Sequence, residues 1–87
     1  MTKDDFKKKI DDAGDAVITY KSQKSRKQKY NICTRDFTTP YIQKKKTRAK
    51  EDSSTVLLFC WDTDSYRLLK IKSVVSIVPL NRIIRND

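Results

Sequence analysis

The chain of 87 residues contains no histidine and only one glycine, and these absences remove several classes of function. Without histidine, the side chain best suited to move protons near neutral pH is missing. With Gly14 as the only glycine, no glycine-rich loop is available to cradle phosphate groups. The acidic residues form no evident converging pair. The sequence therefore predicts a protein without catalytic residues, which is not an enzyme.

Cysteines and long apolar runs are also scarce. Cys33 and Cys60 are too few for a disulfide framework and, without histidine, make a poor zinc site. We expect two buried, reduced thiols, no bound metal and no cofactor. No run approaches the ~18 apolar residues of a membrane-spanning helix, and aspartates in the N-terminal segment argue against a signal peptide. These features predict a cytoplasmic protein (in the host cytoplasm if phage-encoded) that does not bind membranes.

Positive charge is what the sequence has in excess, and it is concentrated in one third of the chain. There are 20 lysines and arginines against 11 aspartates and glutamates, which gives a formal net charge of +9. Residues 21–50 hold eleven cations and one acid, whereas residues 1–20 sum to −1 and residues 51–87 to zero. This asymmetry favours a polyanionic partner more strongly than a high isoelectric point alone.

Hydrophobic periodicity predicts one N-terminal helix over residues 1–15 of a single domain that spans residues 1–87. Thr2 is a suitable N-cap, and Gly14 stands where a helix commonly stops. Phe6 and Ile10 share one narrow stripe, which needs a surface to pack against. We expect this stripe to dock on the chain's own β-structure, with a second copy of the chain as the alternative.

Alternating and β-branched segments predict about five short strands within residues 16–80, before a short C-terminal segment at 81–87. The candidate strands are 16–20, 29–34, 55–61, 66–71 and 74–78, with 40–42 as a weaker candidate that Pro40 confines to a strand start or an edge. The run 55–61 is apolar throughout, which indicates a strand covered on both faces. One helix followed by five short strands predicts a mostly β protein, folded as a small antiparallel β-barrel.

A specific order of segments follows in the C-terminal half: Phe59-Cys60-Trp61, a polar turn, and a strand led by Tyr66-Arg67 that runs on to residue 77. This order resembles the closing strands of WYL-type domains, and the segments 17–20 and 29–32 resemble that family's opening hairpin. The resemblance covers residues 16–80 and implies an SH3-like or Sm-like barrel in a transcription or phage/mobile-element accessory regulator. It also implies that Arg67 binds a ligand, with Trp61 as its companion.

The basic middle third predicts a nucleic-acid-binding surface built from two loops. Cations attract phosphates and release counterions, and interleaved aromatic rings offer faces on which unpaired bases stack. The candidate residues are Lys21, Lys24, Arg26, Lys27, Lys29, Tyr30, Tyr41, Lys44, Lys45, Lys46 and Arg48. This hypothesis requires the two loops to share one surface. The alternative interpretation is that the lysines are merely solvated and the tyrosines belong to the core.

Three functions of different kinds remain open at this point. The first is noncatalytic binding of DNA or RNA through the two loops. The second is a protein-interaction adaptor that docks through a barrel edge or the N-terminal helix, with self-association among its forms. The third is nucleotide sensing at Arg67. The alternative interpretation of this residue is a structural ion pair with Asp62 or Asp64 across the turn.

Overall fold

The computed structural model describes residues 1–81 as a five-stranded antiparallel sheet with an N-terminal helix. The elements are α1 (Lys3–Ala13), β1 (Asp15–Lys21), β2 (Gln28–Thr34), α2 (Pro40–Gln43), β3 (Thr55–Cys60), β4 (Ser65–Lys70), a 3-10 helix (Ile71–Ser73) and β5 (Val74–Pro79). The mostly β fold with one leading helix is therefore confirmed. Residues 82–87, which make up most of the expected C-terminal segment, lie outside the described residues. Among the helices of residues 1–81, none is long and apolar enough to cross a membrane.

Helix α1 begins and ends where the sequence predicts. The Thr2 hydroxyl accepts a hydrogen bond from the Asp5 amide at 3.1 Å, which satisfies one of the free N–H groups of the first turn. At the other end, Gly14 adopts φ +76°, a conformation that residues with a side chain rarely enter, and its N–H donates to the Ile10 carbonyl at 2.9 Å. Both ends are thus set by residues within one turn of the helix.

The apolar stripe of α1 docks on the chain's own sheet. Phe6 and Ile10 are both fully buried, in one cluster with Ile18 of β1 and Val56 and Leu58 of β3. Burial of a large apolar side chain stabilises a fold by about 1.5–3 kcal/mol. The stripe therefore fixes the helix on the sheet. Docking on the chain's own β-structure was the first of the two alternatives predicted from the sequence.

The sheet has the strand order β4-β3-β2-β1-β5 and is not closed, so a barrel is not confirmed. It is nevertheless strongly curled. In a flat sheet β4 and β1 would lie about 14 Å apart, since neighbouring strands are ~4.8 Å apart. Instead, the guanidinium of Arg67 on β4 lies 4.9 Å from the ring centroid of Tyr20 on β1. The curl lets side chains of the edge strand β4 reach those of β1, and Leu69 of β4 shares one buried cluster with Ile18 of β1.

The weak strand prediction at residues 40–42 was wrong, because this segment is the short helix α2. Pro40 occupies the first turn, where its fixed φ suits a helix and its missing N–H has no partner to lose. The Thr39 hydroxyl caps the turn by accepting from the Ile42 amide at 3.4 Å. Ile42 is fully buried, so the turn is also anchored to the core.

Two lysines of α1 surround the carboxylate of Glu51, which lies in the segment before β3, and so connect the helix to that segment. Glu51 accepts hydrogen bonds from the Lys7 ammonium at 2.5 Å and the Leu57 amide at 2.8 Å, and Lys3 lies 3.5 Å away. Burial alone would raise the pKa of Glu51, but the two hydrogen bonds and the two lysine charges outweigh it and lower the pKa to about 2. Glu51 therefore stabilises the fold above its unfolded-state pKa of about 4.3, and this contribution disappears as the pH falls towards 2.

We expect Glu51→Gln to lower the free energy of unfolding by about 1–2 kcal/mol at pH 7, since it removes charge-assisted hydrogen bonds. The difference from wild type should shrink as the pH is lowered from 4.5 to 2, because wild-type Glu51 then becomes neutral too. Urea titrations across this range measure it, with the exposed Asp12→Asn as the matched control. A difference that stays constant with pH would contradict the assigned role.

Candidate functional site

A cleft lies between the β1–β2 loop on one side and β4 with the 3-10 helix on the other. It consists of two adjoining depressions of about 550 and 410 Å³, which share Lys21, Ser22, Gln23, Lys70 and Ser73. We call this feature the cationic cleft. Its cations are Lys21, Lys24, Arg26, Lys29, Arg67, Lys70 and Lys72. Within residues 1–81, no acidic side chain lines it.

The β1–β2 loop forms one wall and is held in shape by backbone hydrogen bonds. The Ser22 amide donates to the Lys27 carbonyl at 2.9 Å, and the Arg26 amide donates to the Ser22 carbonyl at 2.8 Å. Arg26 adopts φ +56°, in the left-handed region that costs a residue with a side chain about 1–2 kcal/mol. The hydrogen bonds of the turn hold Arg26 in this strained conformation, and they fix the course of the backbone in this part of the loop.

Tyr20 lines the cleft beside Arg67 and begins a chain of hydrogen bonds that leads away from the cleft. Tyr20, only 4% exposed, donates from its hydroxyl to Asn31 Oδ1 at 2.7 Å, and Asn31 Nδ2 donates to Asp62 Oδ2 at 3.0 Å. Burial raises the pKa of Tyr20, and nearby Arg67 opposes that rise only in part, so the phenol is neutral at pH 7. The cleft therefore presents the neutral aromatic face of Tyr20 to Arg67, while the network behind it satisfies the Tyr20 hydroxyl.

Arg67 does not pair with either aspartate of the turn. Asp62 binds Asn31 and the Ile32 amide, and Asp64 binds Tyr41 and Lys45. In the part of the chain that the structure describes, no carboxylate lies within 4.0 Å of the cleft cations. Among residues 1–81, therefore, no carboxylate takes up the guanidinium donors of Arg67.

The second cationic loop lies elsewhere. Lys45 and Lys46 line a separate depression together with Asp64, Ser65 and Tyr66, at the end of β4 opposite Lys70. The Lys45 ammonium forms an ion pair with Asp64 at 2.9 Å, and this hydrogen bond raises the pKa of Lys45. The shared surface that the sequence suggested is therefore replaced by two surfaces at the two ends of β4.

The remaining predicted cations are exposed, but they line neither the cationic cleft nor the depression at Lys45 and Lys46. They are Lys27, Lys44 and Arg48. Two cations of the cleft were not predicted from the sequence: Lys70 and Lys72, which face the β1–β2 loop across the cleft. They were overlooked because residues 51–87 have no net charge. The only signal available was their position at the end of an arginine-led strand and just after it.

The predicted aromatic residues also separate. Tyr30 is 66% exposed on β2, where it pairs with Thr19 outside the cleft lining. Tyr41 instead stacks on Trp61, with ring centroids 6.1 Å apart and planes at 26°. The indole N–H of Trp61 donates to Asp15 at 2.9 Å. The two residues singled out by the family resemblance thus stand apart, Arg67 in the cleft and Trp61 in an aromatic cluster.

Fold and site together define a small antiparallel β protein that presents a cleft rich in cations and hydrogen-bond donors. Comparison with family models, with curated proteins and with solved structures gives no match. The geometry and charge of this cleft are therefore the features that bear on function.

Proposed function

We propose that this protein is a noncatalytic nucleic-acid-binding protein that holds the phosphate backbone of DNA or RNA in the cationic cleft. The observation that carries the proposal is the set of seven cations around one cleft with no acidic side chain in its described lining. A polyanion neutralises such a cluster and releases its own counterions, which favours binding. The cleft has the chemistry of backbone contact rather than that of base readout.

The individual side chains suit different parts of that task. Arg67 offers a planar array of donors that matches two phosphate oxygens, and its place over Tyr20 orients the guanidinium. Lys21 and Lys70 act as point charges from opposite walls. The hydroxyl of Ser22 adds a neutral donor of the kind often found on phosphates, whereas that of Ser73 already donates to the Lys70 carbonyl at 2.7 Å. The lining thus combines charge with directional hydrogen bonds.

Tyr30 is the aromatic residue we assign to base stacking. It is largely exposed and follows Lys29, which lines the cleft. Tyr41 is less suited, because its ring stacks on Trp61 and its hydroxyl donates to Asp64 at 2.6 Å. Because successive side chains of a strand point to opposite faces, Tyr30 lies behind the cleft, and only a base on a nucleic-acid strand that passes around the β1–β2 hairpin would meet its ring.

The second loop has a minor role in this proposal. The ends of β4 lie about 17 Å apart at ~3.3 Å per residue, whereas the screening length at 0.1 M salt is about 10 Å. Lys44, Lys46 and Arg48 therefore add weak long-range attraction to a ligand held in the cleft. The charge of Lys45 is already balanced by Asp64.

We also propose that the curled sheet is an open form of a small SH3-like or Sm-like barrel, akin to WYL-type domains. Two observations support this relation. The last strand, β5, returns beside β1, and Arg67 on the edge strand β4 reaches over Tyr20. A regulatory role in transcription or in a phage belongs to the same proposal.

Two other candidates are each favoured by one observation. Nucleotide sensing is favoured by Arg67, whose guanidinium faces the cleft without a described carboxylate partner; it predicts a thermal shift with a nucleoside triphosphate. A protein-adaptor role is favoured by the edges of β4 and β5, which no strand within residues 1–81 covers and on which Leu68 and Val75 are 37% and 51% exposed. Such docking would persist at high salt.

A salt titration tests the main proposal. Labelled single- and double-stranded oligonucleotides should bind at low ionic strength, with log K falling linearly in log salt. If four to six phosphates are neutralised, the slope is about −3 to −5. Fluorescence anisotropy between 20 and 300 mM salt measures it. The absence of binding at the lowest salt concentration would refute nucleic-acid binding.

A further inference from the structure

Two buried thiols face each other across the β2–β3 junction, which has the fewest residue pairs of the strand pairings described in this sheet. Cys33 of β2 and Cys60 of β3 are direct partners in the antiparallel register, and their Sγ atoms lie 3.4 Å apart. Both side chains are buried, at 2% and 0% exposure. We propose that Cys33 and Cys60 are a redox modification site, at which a peroxide converts the dithiol to a reversible cross-strand disulfide.

The register places the two cysteines at a position where a disulfide fits. The Trp61 amide donates to the Ile32 carbonyl at 2.7 Å, one residue beyond the cysteine pair. Because hydrogen-bonded and non-hydrogen-bonded pairs alternate, Cys33 and Cys60 form a non-hydrogen-bonded pair, whose Cα atoms are about 4.5 Å apart. That separation lies within the range of ~4.4–6.8 Å found for disulfides, so rotation of the side chains suffices to form the bond.

The junction itself gives the bond a structural effect. The β2–β3 pairing consists of Cys33↔Cys60 and Thr34↔Phe59, whereas β1–β2 pairs along seven residues. A disulfide would therefore link the β1-β2-β5 half of the sheet covalently to the β3-β4 half. The two halves also carry the two walls of the cationic cleft, so the bond would join those halves at the end of the strands away from the β1–β2 loop.

The same short pairing explains how an oxidant reaches buried sulfur. A sheet opens most readily where few hydrogen bonds and few residue pairs hold neighbouring strands together. Brief separation at the β2–β3 junction exposes both thiols at once. Hydrogen peroxide is small enough to enter such an opening.

The two thiols are not equivalent. The 3.4 Å contact lets either thiol donate; with Cys33 as the donor, this hydrogen bond lowers the pKa of Cys60. The same hydrogen bond, together with burial, raises the pKa of Cys33. The thiolate is the reactive form, so Cys60 is the group that attacks and Cys33 is the group that resolves.

The reaction balances with one peroxide. The Cys60 thiolate attacks one peroxide oxygen, the O–O bond breaks, and the departing hydroxide takes up the thiol proton as water, which leaves a sulfenic acid. Cys33 Sγ then attacks Cys60 Sγ, the S–O bond breaks, and the hydroxyl leaves as a second water with the Cys33 proton. Two electrons pass from the thiols to the peroxide, and a dithiol reductant reverses the bond by exchange.

Oxidation of the full chain with hydrogen peroxide under native conditions tests the proposal. The intact mass should fall by two hydrogens, the thiols titrated after denaturation should fall from two to none, and the chain should stay monomeric on a non-reducing gel. The thermal midpoint should rise by about 10 °C, because the crosslink restricts the unfolded chain. Dithiothreitol should reverse all of these changes.

Single-cysteine variants separate this reaction from other oxidation. After peroxide treatment, Cys33→Ala should carry a sulfenic acid at Cys60 that dimedone traps, whereas Cys60→Ala should be labelled several-fold less. The proposal is overturned if native wild type keeps both thiols, if it crosslinks between chains, or if it goes on to sulfonic acid without loss of two hydrogens. The wild-type mass and thiol count decide the matter even if a variant does not fold. None of these readouts depends on nucleic-acid binding.

Discussion

The double charge reversal Lys21→Glu with Arg67→Glu is expected to lower the affinity for nucleic acid at least about tenfold at 0.1 M salt, and to reduce the magnitude of the salt slope by about two. These two cations come from opposite walls of the cationic cleft. Each phosphate contact contributes about 0.9 to the slope on duplex DNA, so the loss of two contacts has a measurable signature. Fluorescence anisotropy at several salt concentrations gives both quantities from one set of titrations.

A matched control separates the cleft from the overall charge. Lys8→Glu with Lys9→Glu makes the same change in net charge, from +9 to +5, since each reversal removes two charges. Both residues are exposed on α1 and neither lines the cleft. We expect this pair to change affinity less than about threefold at 0.1 M salt, where distant charges are largely screened. An equal loss in both double variants would show that net charge, and not the cleft, drives binding.

The reversal Lys44→Glu with Lys46→Glu serves as a second comparison. It changes the net charge equally but acts at the far end of β4. If the cleft is the site, its effect should resemble that of the α1 pair. A loss as large as that of Lys21→Glu with Arg67→Glu would restore the two-loop surface that the sequence suggested. Circular dichroism of each variant checks that the fold is intact.

Truncation of Phe59 is expected to destabilise the fold by about 3–5 kcal/mol, as for other buried phenylalanines. Its side chain is fully buried, and its ring meets Trp61 and Tyr66 edge to face at centroid distances of 5.2 and 5.4 Å. Tyr41, on α2, makes a similar contact at 6.4 Å. Phe59→Ala therefore removes the centre of the cluster that holds α2 against the β3–β4 turn.

Urea denaturation measures this effect. Since small domains are stable by only about 5–15 kcal/mol, Phe59→Ala should come close to unfolding, and Phe59→Leu should give an intermediate loss if the alanine variant does not fold. Tyr30→Ala is the control, because a 66% exposed side chain should contribute less than about 0.5 kcal/mol. A loss below about 1 kcal/mol in Phe59→Ala would mean that other contacts hold the cluster together.

Much of the fold was predictable because its signals are local. Thr2 and Gly14 delimit α1 through hydrogen bonds within one turn, and the alternation in β1 matches its buried side chains Ala16, Ile18 and Tyr20. The prediction failed at residues 40–42, where a β-branched residue after proline suggested a strand. The choice of a helix there depends on the cap at Thr39 and on the burial of Ile42. That burial comes from parts of the chain distant in sequence.

The candidate site was predictable only in part for a related reason. Lys21, Lys24, Arg26 and Lys29 lie close together in the sequence and remain together in the cleft. A sum of charge along the chain, however, does not say which cations meet in space. The charge sum gave no indication of Lys70 and Lys72. It also gave Lys45 the same weight as its neighbours, although Asp64 neutralises the charge of Lys45.

The sequence by itself determined the helix limits, the composition of the strands, the excess of positive charge and the burial of Phe6 and Ile10. These features depend on residues within a few positions of one another, where backbone geometry fixes the spacing. Only the tertiary structure decided that Arg67 lies over Tyr20 and that Cys33 lies 3.4 Å from Cys60. Strand pairing and the curl of the sheet bring together residues that are 27 to 47 positions apart, and no local pattern encodes which of them will meet.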